Sequence, residues 1–248
     1  MSEKSEYSIK VDQIEADTYS KLKSFGFRKF GRTMHRFVDN DISQVVNFQM
    51  AFGDHVCVNI GIRVPECEEH NFKEYSADKK YYHEYECTFR TRLGSIRGKR
   101  ETWFDLKKPV ARLSRQIISE IMQYVIPMFE KLSSREKLIS GIQLYPKSEQ
   151  IFCFSSSVGN LNLAMMYGKL GMIGMAKEAF KAQYQKAVAE YNDATVNGTK
   201  HFLKKGQRIV YMNQDITATK TGYYTIYGMT HGHIDFLEKI AQKLEFEL

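Results

Sequence analysis

Residues from Phe27 to Leu93 alternate between apolar and polar side chains with the period of two that is typical of half-buried β-strands. The clearest run extends from His55 to Val64, where every even-numbered position is Val or Ile. The odd positions carry polar, small or charged residues, among them Asn59 and Gly61. This pattern predicts a sheet with one face in the core and the other open to solvent, to helices or to a ligand.

The same alternation recurs in two other segments. In residues 42–51 it places Asn47 and Gln49 on the polar face, and in residues 85–94 it places Arg90 and Arg92 there. These side chains are directional hydrogen-bonding groups, unlike the Lys and Glu of a solvated strand. The sequence therefore predicts a binding surface formed by Asn47, Gln49, Asn59, Arg63, Arg90 and Arg92. The alternative is that the chain's own helices cover this face and that its polar side chains satisfy buried backbone groups.

Turn and cap signals divide the first part of the chain into further elements. A helix is predicted over residues 13–24 and a strand over residues 27–37, in which Gly31 is interpreted as a bulge. Phe52-Gly53-Asp54 is a connection of the length found in antiparallel hairpins. The polar residues 66–83 are interpreted as a long excursion between the third and fourth strands.

Helical patterns dominate the rest of the chain. Apolar residues at intervals of three and four predict a helix from Val110 to Met128 that covers the sheet, with Pro127 kinking or ending it. Residues 160–190 predict a helical hairpin, and residues 234–244 predict a closing amphipathic helix. Between them, two short β-like segments are predicted to pair as a hairpin: residues 207–212 and 223–227.

This order of elements predicts an α+β protein with a mainly antiparallel sheet of about four strands covered by helices. Two domains are expected: residues 1–145 form the sheet domain, and residues 146–248 form a mostly helical extension with a small β-hairpin, packed on the first part. The hydrophobic share of 43% indicates a globular chain. A membrane interaction is not expected, because no apolar run approaches the roughly 18 residues of a membrane span.

Cysteine spacing and the amino terminus bear on the compartment. The four cysteines, at positions 57, 67, 87 and 153, form no Cys-x-x-Cys motif and are predicted to be reduced thiols. The charged start of the chain lacks the apolar run of a secretory signal. Both observations predict a cytoplasmic protein.

Positive charge is concentrated in residues 88–115, where nine basic and two acidic residues account for the formal net charge of +7. Besides Arg90 and Arg92, this segment contains a basic patch made of Arg97, Lys99, Arg100, Lys107, Lys108, Arg112 and Arg115. Such a field attracts polyanions or an acidic protein surface. The alternative is a solvated strand end followed by a solvated helix face.

Several short blocks occur in a characteristic order. They are Gly26–Thr33, Gln44–Gln49, Val58–Gly61, Arg90–Gly94, Trp103–Leu106 and Ile126–Glu130. Together they resemble a bacterial family described only as a domain of unknown function, number four-three-zero-four in its series. The resemblance implies a shared fold for the chain up to Glu130. It implies no catalytic residue, because the family has no settled biochemical role.

Motifs for catalysis or metal binding are not recognisable. His231 and His233 are the only close histidine pair, and at the start of a helix this spacing points the two rings apart. Ser155–Ser157 lacks the Gly-x-Ser-x-Gly elbow, and Cys57 and Cys87 have no nearby base that the sequence identifies. We therefore predict no catalytic residue, no metal site and no cofactor.

The predicted function is non-enzymatic protein binding. Its specific form is an immunity or antitoxin-type partner that occludes another protein, by analogy with other motif-free bacterial α+β proteins of this size. The partner is expected to be acidic, because the candidate surface is basic. The alternatives are nucleic-acid binding by residues 88–115, with stacking on Tyr81, Tyr82, Phe89 and Trp103, and an enzyme with an unrecognised active site. The sequence does not indicate an oligomeric state.

Overall fold

The computed structural model of the chain describes residues 5–68, 81–98, 103–144, 159–211 and 214–246. The chain divides into two compact units, Met1–Ser156 and Ser157–Leu248. The first unit combines an antiparallel sheet with helices, and the second is mainly helical, so the predicted α+β class is confirmed. No helix in the described ranges is both long enough and apolar enough to cross a membrane.

A six-stranded antiparallel sheet organises the described part of the first unit. Its strands are β1 (Arg28–Phe30), β2 (Thr33–Val38), β3 (Ile42–Ala51), β4 (His55–Arg63), β5 (Phe89–Arg92) and β6 (Phe104–Asp105). Strands β1 to β5 are neighbours in sequence order, and β6 also pairs with β4. The sheet has more strands than predicted because the first predicted strand forms two and a short edge strand follows Trp103.

The interpretation of Gly31 as a bulge was wrong. Phe30 pairs with Thr33, so Gly31 and Arg32 form a two-residue turn between β1 and β2. Gly31 has a φ of 54°, a left-handed conformation that glycine adopts without steric cost and that tight hairpins require. The chain reverses direction at this position instead of switching faces within one strand.

The two central strands follow the predicted alternation closely. Strand β3 has the predicted bounds, β4 ends one residue early, and the antiparallel hairpin between them is confirmed. The fourth predicted strand, residues 85–94, is shorter than expected. Only β5 is extended, because a 3₁₀ turn (Glu84–Glu86) precedes it and a short helix, α2 (Leu93–Ile96), follows it.

Helices cover the apolar face of the sheet. They are α1 (Glu6–Leu22), α3 (Val110–Glu120), α4 (Ile126–Lys131) and, after them, α5 (Arg135–Leu144). Ile14, Leu113 and Phe129 are buried, and the Gln44 side chain donates a hydrogen bond of 2.7 Å to the Phe129 carbonyl oxygen. This hydrogen bond links α4 to β3.

The long helix continues through Pro127 instead of ending there. A π-helical turn, Ile121–Val125, joins α3 to α4 immediately before the proline. Pro127 has no N–H for the ordinary helical bond, and its ring would crowd the preceding turn, so a wider turn relieves both problems.

The second unit is built on the predicted helical hairpin, α6 (Gly159–Lys169) and α7 (Ile173–Val196), with the closing helix α8 (Gly232–Leu244) against it. Its core contains Leu161, Phe180 and Leu237, which are almost fully buried. The predicted helical hairpin and the predicted closing helix are both confirmed.

The predicted strand pairing in this unit was wrong. Strand β7 (Thr199–Leu203) pairs with β10 (Gly222–Ile226), and β8 (Arg208–Tyr211) pairs with β9 (Gln214–Thr217). The segment at 208–211 thus closes locally on its sequence neighbour. Strand β10 pairs instead with β7. The sequence of β7 begins with three exposed polar residues, so it shows no recognisable strand pattern.

Candidate functional site

The polar face of the sheet lies opposite the helices, and part of it forms a groove. Asn47, Asn59 and Arg92 are register partners across β3, β4 and β5, so they form one row on this face. A pocket with a volume of about 880 Å³ lies over this row and is open to solvent. Gln49 and Arg90 also line it. The structure therefore brings together in one groove five of the six residues predicted as a binding surface.

A hydrogen-bond network fixes the floor of the groove. The Asn59 side-chain amide donates to Gln49 Oε1 at 3.0 Å and to Asn47 Oδ1 at 3.4 Å. Asn47 in turn donates to Thr33 Oγ1 at 3.0 Å. Because Asn59 is only 4% exposed, these bonds stay ordered beneath the open surface. The floor is thus held in one arrangement before any ligand binds.

Arg92 extends this network to the edge of the groove. Its Nε donates to Asn59 Oδ1 at 3.2 Å, and its guanidinium carbon lies 5.1 Å from the centre of the Trp103 ring. Stacking on an aromatic face orients the planar guanidinium group. Trp103 therefore positions an arginine of the groove, a role that the sequence analysis did not assign to it.

One wall of the groove comes from the segment that precedes β5. The rings of His83 and Tyr85 stack with centroids 5.1 Å apart, and Tyr85 is 57% exposed. Arg90 Nε lies 4.0 Å from Glu84 Oε1, and Arg90 Nη1 donates to the Tyr85 carbonyl oxygen at 3.5 Å. Both contacts of Arg90 are long, so this guanidinium group keeps hydrogen-bonding capacity at the rim.

Two titratable groups in or beside the groove are shifted by burial. Burial raises the pKa of Glu84, although the positive charges of Arg90 and Arg92 oppose that shift. Burial also raises the pKa of the Cys57 thiol to about 11. Cys57 is therefore a neutral thiol at physiological pH, whereas Glu84 is the acidic group among the described lining residues.

The other end of the same sheet face is covered. Arg63, the sixth predicted residue, is 7% exposed, and its Nη2 lies 2.6 Å from Glu68 Oε2. Its guanidinium carbon lies 3.7 Å from the centre of the Tyr82 ring. Arg63 is thus enclosed by the two ends of the predicted excursion, so it belongs to the internal packing of the unit and not to the groove.

A glycine in β4 allows this cover to approach closely. A Cβ added to Gly61 would lie 2.6 Å from Cys87 Sγ and 2.8 Å from Cys87 Cβ. Gly61 therefore occurs on the polar face because the segment before β5 packs directly against its backbone. The polar face was predicted to be either open or covered. The end with the groove is open, and the end with Arg63 is covered. The cover comes from the excursion and not from the long helices.

The segment between β4 and β5 also supplies groove residues that were not predicted from the sequence. His83, Glu84 and Tyr85 line the pocket, together with Ser95 of α2. The sequence did contain an indication of this segment. Gly61 lies inside an otherwise regular strand, and a glycine in such a position indicates the close approach of another backbone. Combined with a long polar excursion, Gly61 could have placed this segment across the sheet.

Two members of the predicted basic patch form ion pairs with acidic side chains. Arg97 Nη1 lies 2.7 Å from Glu120 Oε1, and Lys107 Nζ lies 2.8 Å from Asp54 Oδ2. Two members, Lys99 and Arg100, fall outside the described residues. The exposed members are Lys107, Lys108, Arg112 and Arg115. Of the aromatic residues proposed for stacking, Tyr82 and Phe89 are buried, so neither offers a free ring face.

Three of the four cysteines, Cys57, Cys67 and Cys87, are buried thiols that are not disulfide-bonded. Cys57 lies beside the floor of the groove, with its Sγ 3.5 Å from Asn59 Oδ1. Cys153 and Ser155–Ser157 fall outside the described residues. His231 precedes α8 and lies 2.5 Å from Asp235. In the portion of the chain that is described, no three His, Cys, Asp or Glu side chains are grouped as metal ligands.

Comparison with known proteins gives one match. Residues 19–131 match the model of the family described as a domain of unknown function, DUF4304. No curated protein and no solved structure matches the chain. The matched segment contains every lining residue of the groove from Arg32 to Ser95, whereas the second unit lies outside it.

Proposed function

We propose that the protein acts by binding another protein, and that the groove over Asn47, Asn59 and Arg92 is the binding site. The observation that carries this proposal is the ordered amide network beneath an exposed rim of Tyr85 and Arg90. An ordered site loses little conformational entropy on binding, so more of its hydrogen-bond energy contributes to affinity.

The residue types favour a protein ligand. Tyr, Trp and Arg are the side chains most often found at the energetic centres of protein interfaces, and this groove combines Tyr85, Arg90 and Arg92 with Trp103 behind them. The lining of the groove also contains apolar atoms, among them those of Phe48 and Met50. Its amide, guanidinium and carboxylate groups suit the backbone and side chains of a partner loop.

Charge indicates the chemistry of that loop. Arg90 and Arg92 face the groove, and Glu84 is the acidic side chain among the described lining residues. Arg32 also lines the groove, but its guanidinium group lies 3.4 Å from the buried Glu15 carboxylate. The excess positive charge favours a loop that carries Asp or Glu, since Arg binds carboxylates through two parallel hydrogen bonds.

The specific form of this proposal is an immunity or antitoxin-type protein of bacteria, which occludes a toxic partner. This form rests on analogy with other small α+β proteins that have no catalytic motif. A cytoplasmic location is part of the proposal and is supported by the buried thiols of Cys57, Cys67 and Cys87, which are not disulfide-bonded. Its test is whether the captured partner is toxic when expressed alone and harmless when both are expressed together.

An enzymatic role of the same groove is the second candidate, because a carboxyl group with a raised pKa in a cleft is suited to proton transfer. Glu84 would be the acid or base. The variant Glu84→Gln separates the two roles. A binding site for an acidic loop gains affinity when this negative charge is removed, whereas an enzyme loses turnover.

Affinity capture from extract of the native host tests the proposal. The tagged protein is compared with Gln49→Ala/Arg90→Ala and with Arg112→Ala/Arg115→Ala, which removes two exposed charges from the basic patch. We expect one protein to be captured in stoichiometric amount and to stay bound after nuclease treatment. Its capture should be lost only with the groove variant. Loss of the captured material on nuclease treatment, or with the patch variant alone, contradicts the proposal.

A further inference from the structure

The second unit carries an exposed aromatic pair that its core does not use. Phe202 in β7 and Tyr223 in β10 are register partners, with ring centroids 5.3 Å apart at an angle of 69°. Phe202 is 56% exposed and Tyr223 is 74% exposed. Both rings lie on the outer face of this two-stranded ladder, because the opposite face buries Leu203 and Ile226.

Lysines surround this pair. Lys200 lies on the same face two residues before Phe202, while Lys204 and Lys205 follow β7, and Lys220 precedes β10. The Lys205 amide donates to Thr221 Oγ1 at 3.1 Å, so the residues that follow β7 and precede β10 meet at one end of the ladder. Basic groups therefore lie on both sides of the two rings along the strand direction.

The charge of this region is not neutralised locally. Residues 199–227 contain five basic side chains and one acidic one, Asp215. Asp215 is held by Arg208 in a two-point ion pair, with Nε–Oδ1 at 2.8 Å and Nη2–Oδ2 at 2.5 Å. The four lysines form no ion pair with any residue in the described ranges. Lys220 lies toward the opposite face, because its backbone bonds the Tyr224 hydroxyl. The positive charges of Lys200, Lys204 and Lys205 thus remain available near the aromatic pair.

We infer that this face, on which Phe202, Tyr223 and Lys200 lie with Lys204 and Lys205 at its end, binds single-stranded nucleic acid. Unpaired bases stack on exposed aromatic rings, and lysines follow the phosphate backbone. A protein or membrane contact would instead favour a continuous apolar patch. On this face the next residues along the two strands are Lys200 and Thr225, so the two rings do not continue into an apolar patch.

This surface is distinct from the predicted basic segment at residues 88–115, which belongs to the first unit. It is also independent of the protein-binding groove. Each can therefore be removed by substitution without changing the other, and failure of one proposal does not decide the other.

The test is the binding of a fluorescent oligothymidylate and a fluorescent oligouridylate, each about 15 nucleotides long, to the full-length protein. We expect affinity for both, weaker affinity for a duplex of the same length, and a loss on the order of ten-fold for each ring removed by Phe202→Ala and Tyr223→Ala. The control Phe52→Ala removes an exposed aromatic ring of the first unit and should leave affinity unchanged.

Two further variants identify the chemistry. Phe202→Leu/Tyr223→Leu keeps apolar side chains without rings, so stacking predicts the same loss as the alanine variant. Lys200→Gln/Lys204→Gln should reduce the slope of log affinity against log salt by about 1.4, whereas the matched pair Lys181→Gln/Lys239→Gln should not. Absence of oligonucleotide binding overturns the inference. So does binding that survives loss of both rings, full affinity in the leucine variant, or binding to anionic phospholipid vesicles in place of oligonucleotides.

Discussion

The two ends of one sheet face use similar residues for opposite purposes. At one end Arg63 is buried against Glu68 and Tyr82, and the chain's own excursion covers it. At the other end Arg92 stacks on Trp103 and faces an open groove. Both arginines lie at polar positions of neighbouring strands, β4 and β5, so residue type and strand alternation do not distinguish them.

What distinguishes the two ends is the path of the segment between β4 and β5. Gly61 lets Cys87 approach the backbone of β4 closely, so the cover is tight at this point. Beyond it the floor is made of Asn59, Asn47 and Gln49, whose side chains satisfy one another. The covered end is thus expected to contribute stability, whereas the open end is expected to contribute binding.

The largest expected effect is at the covered end. Arg63→Ala removes the buried ion pair between Arg63 and Glu68, and we expect a loss of about 3–5 kcal/mol in the free energy of unfolding. The matched variant Arg90→Ala removes an exposed arginine of the same sheet, and its effect should stay within about 0.5 kcal/mol. Denaturant titration measures both. Equal effects would remove the distinction between the two ends.

The close approach at Gly61 gives the second prediction. Gly61→Ala places a methyl group inside contact distance of Cys87, and overpacking of this kind costs about 1–3 kcal/mol. Gly159→Ala is the control, because a Cβ at that position meets no atom within 4 Å. Thermal or denaturant unfolding that is unchanged in the Gly61 variant would mean that the excursion does not pack there.

The open end gives the third prediction. Removing Gln49 and Arg90 together should weaken partner binding by more than ten-fold, which corresponds to about 1.4 kcal/mol, and leave stability nearly unchanged. Calorimetric titration of the purified partner measures this effect. A fall in stability comparable to that of Arg63→Ala, with affinity preserved, would assign this end to packing as well.

The smallest effect concerns pH. Burial raises the pKa of Glu84 in the folded protein, so its contribution to stability is fully present at pH values below the unfolded carboxyl pKa and is lost as pH rises through the folded value. The Glu84→Gln variant has no ionisable group at this position, so it does not lose stability in this way. The variant should therefore gain stability relative to the natural chain as pH rises from about 4 to 7. A stability difference that is constant over this range would contradict the shifted pKa.

Strand alternation predicted the central part of the fold and the polar row on the floor of the groove. The bounds of β3 and the sorting of Asn47, Asn59 and Arg92 onto one face follow from a period of two, which depends only on local geometry. The α+β class follows from the order of elements for the same reason. These features need no knowledge of distant contacts.

The features that were missed depend on contacts between distant residues. Whether Arg63 or Arg92 is covered depends on the route of the excursion, which alternation does not encode. The pairing of β10 with β7 in the second unit likewise depends on how the chain returns after β9. Gly31 was misassigned because a glycine in a strand pattern is compatible with a bulge and with a turn, and only the pairing of Phe30 with Thr33 decides between them.

Site-specific photocrosslinking is the sharpest test of whether the groove binds a protein. A photoreactive amino acid replaces Gln49 in the groove or, in the control, Arg112 on the exposed side of α3, and the protein is irradiated in its native host. A binding site in the groove predicts a nuclease-resistant crosslink to a single protein from position 49 and none from position 112. Crosslinks to nucleic acid from position 49, or to the same protein from both positions, would contradict a binding site in the groove.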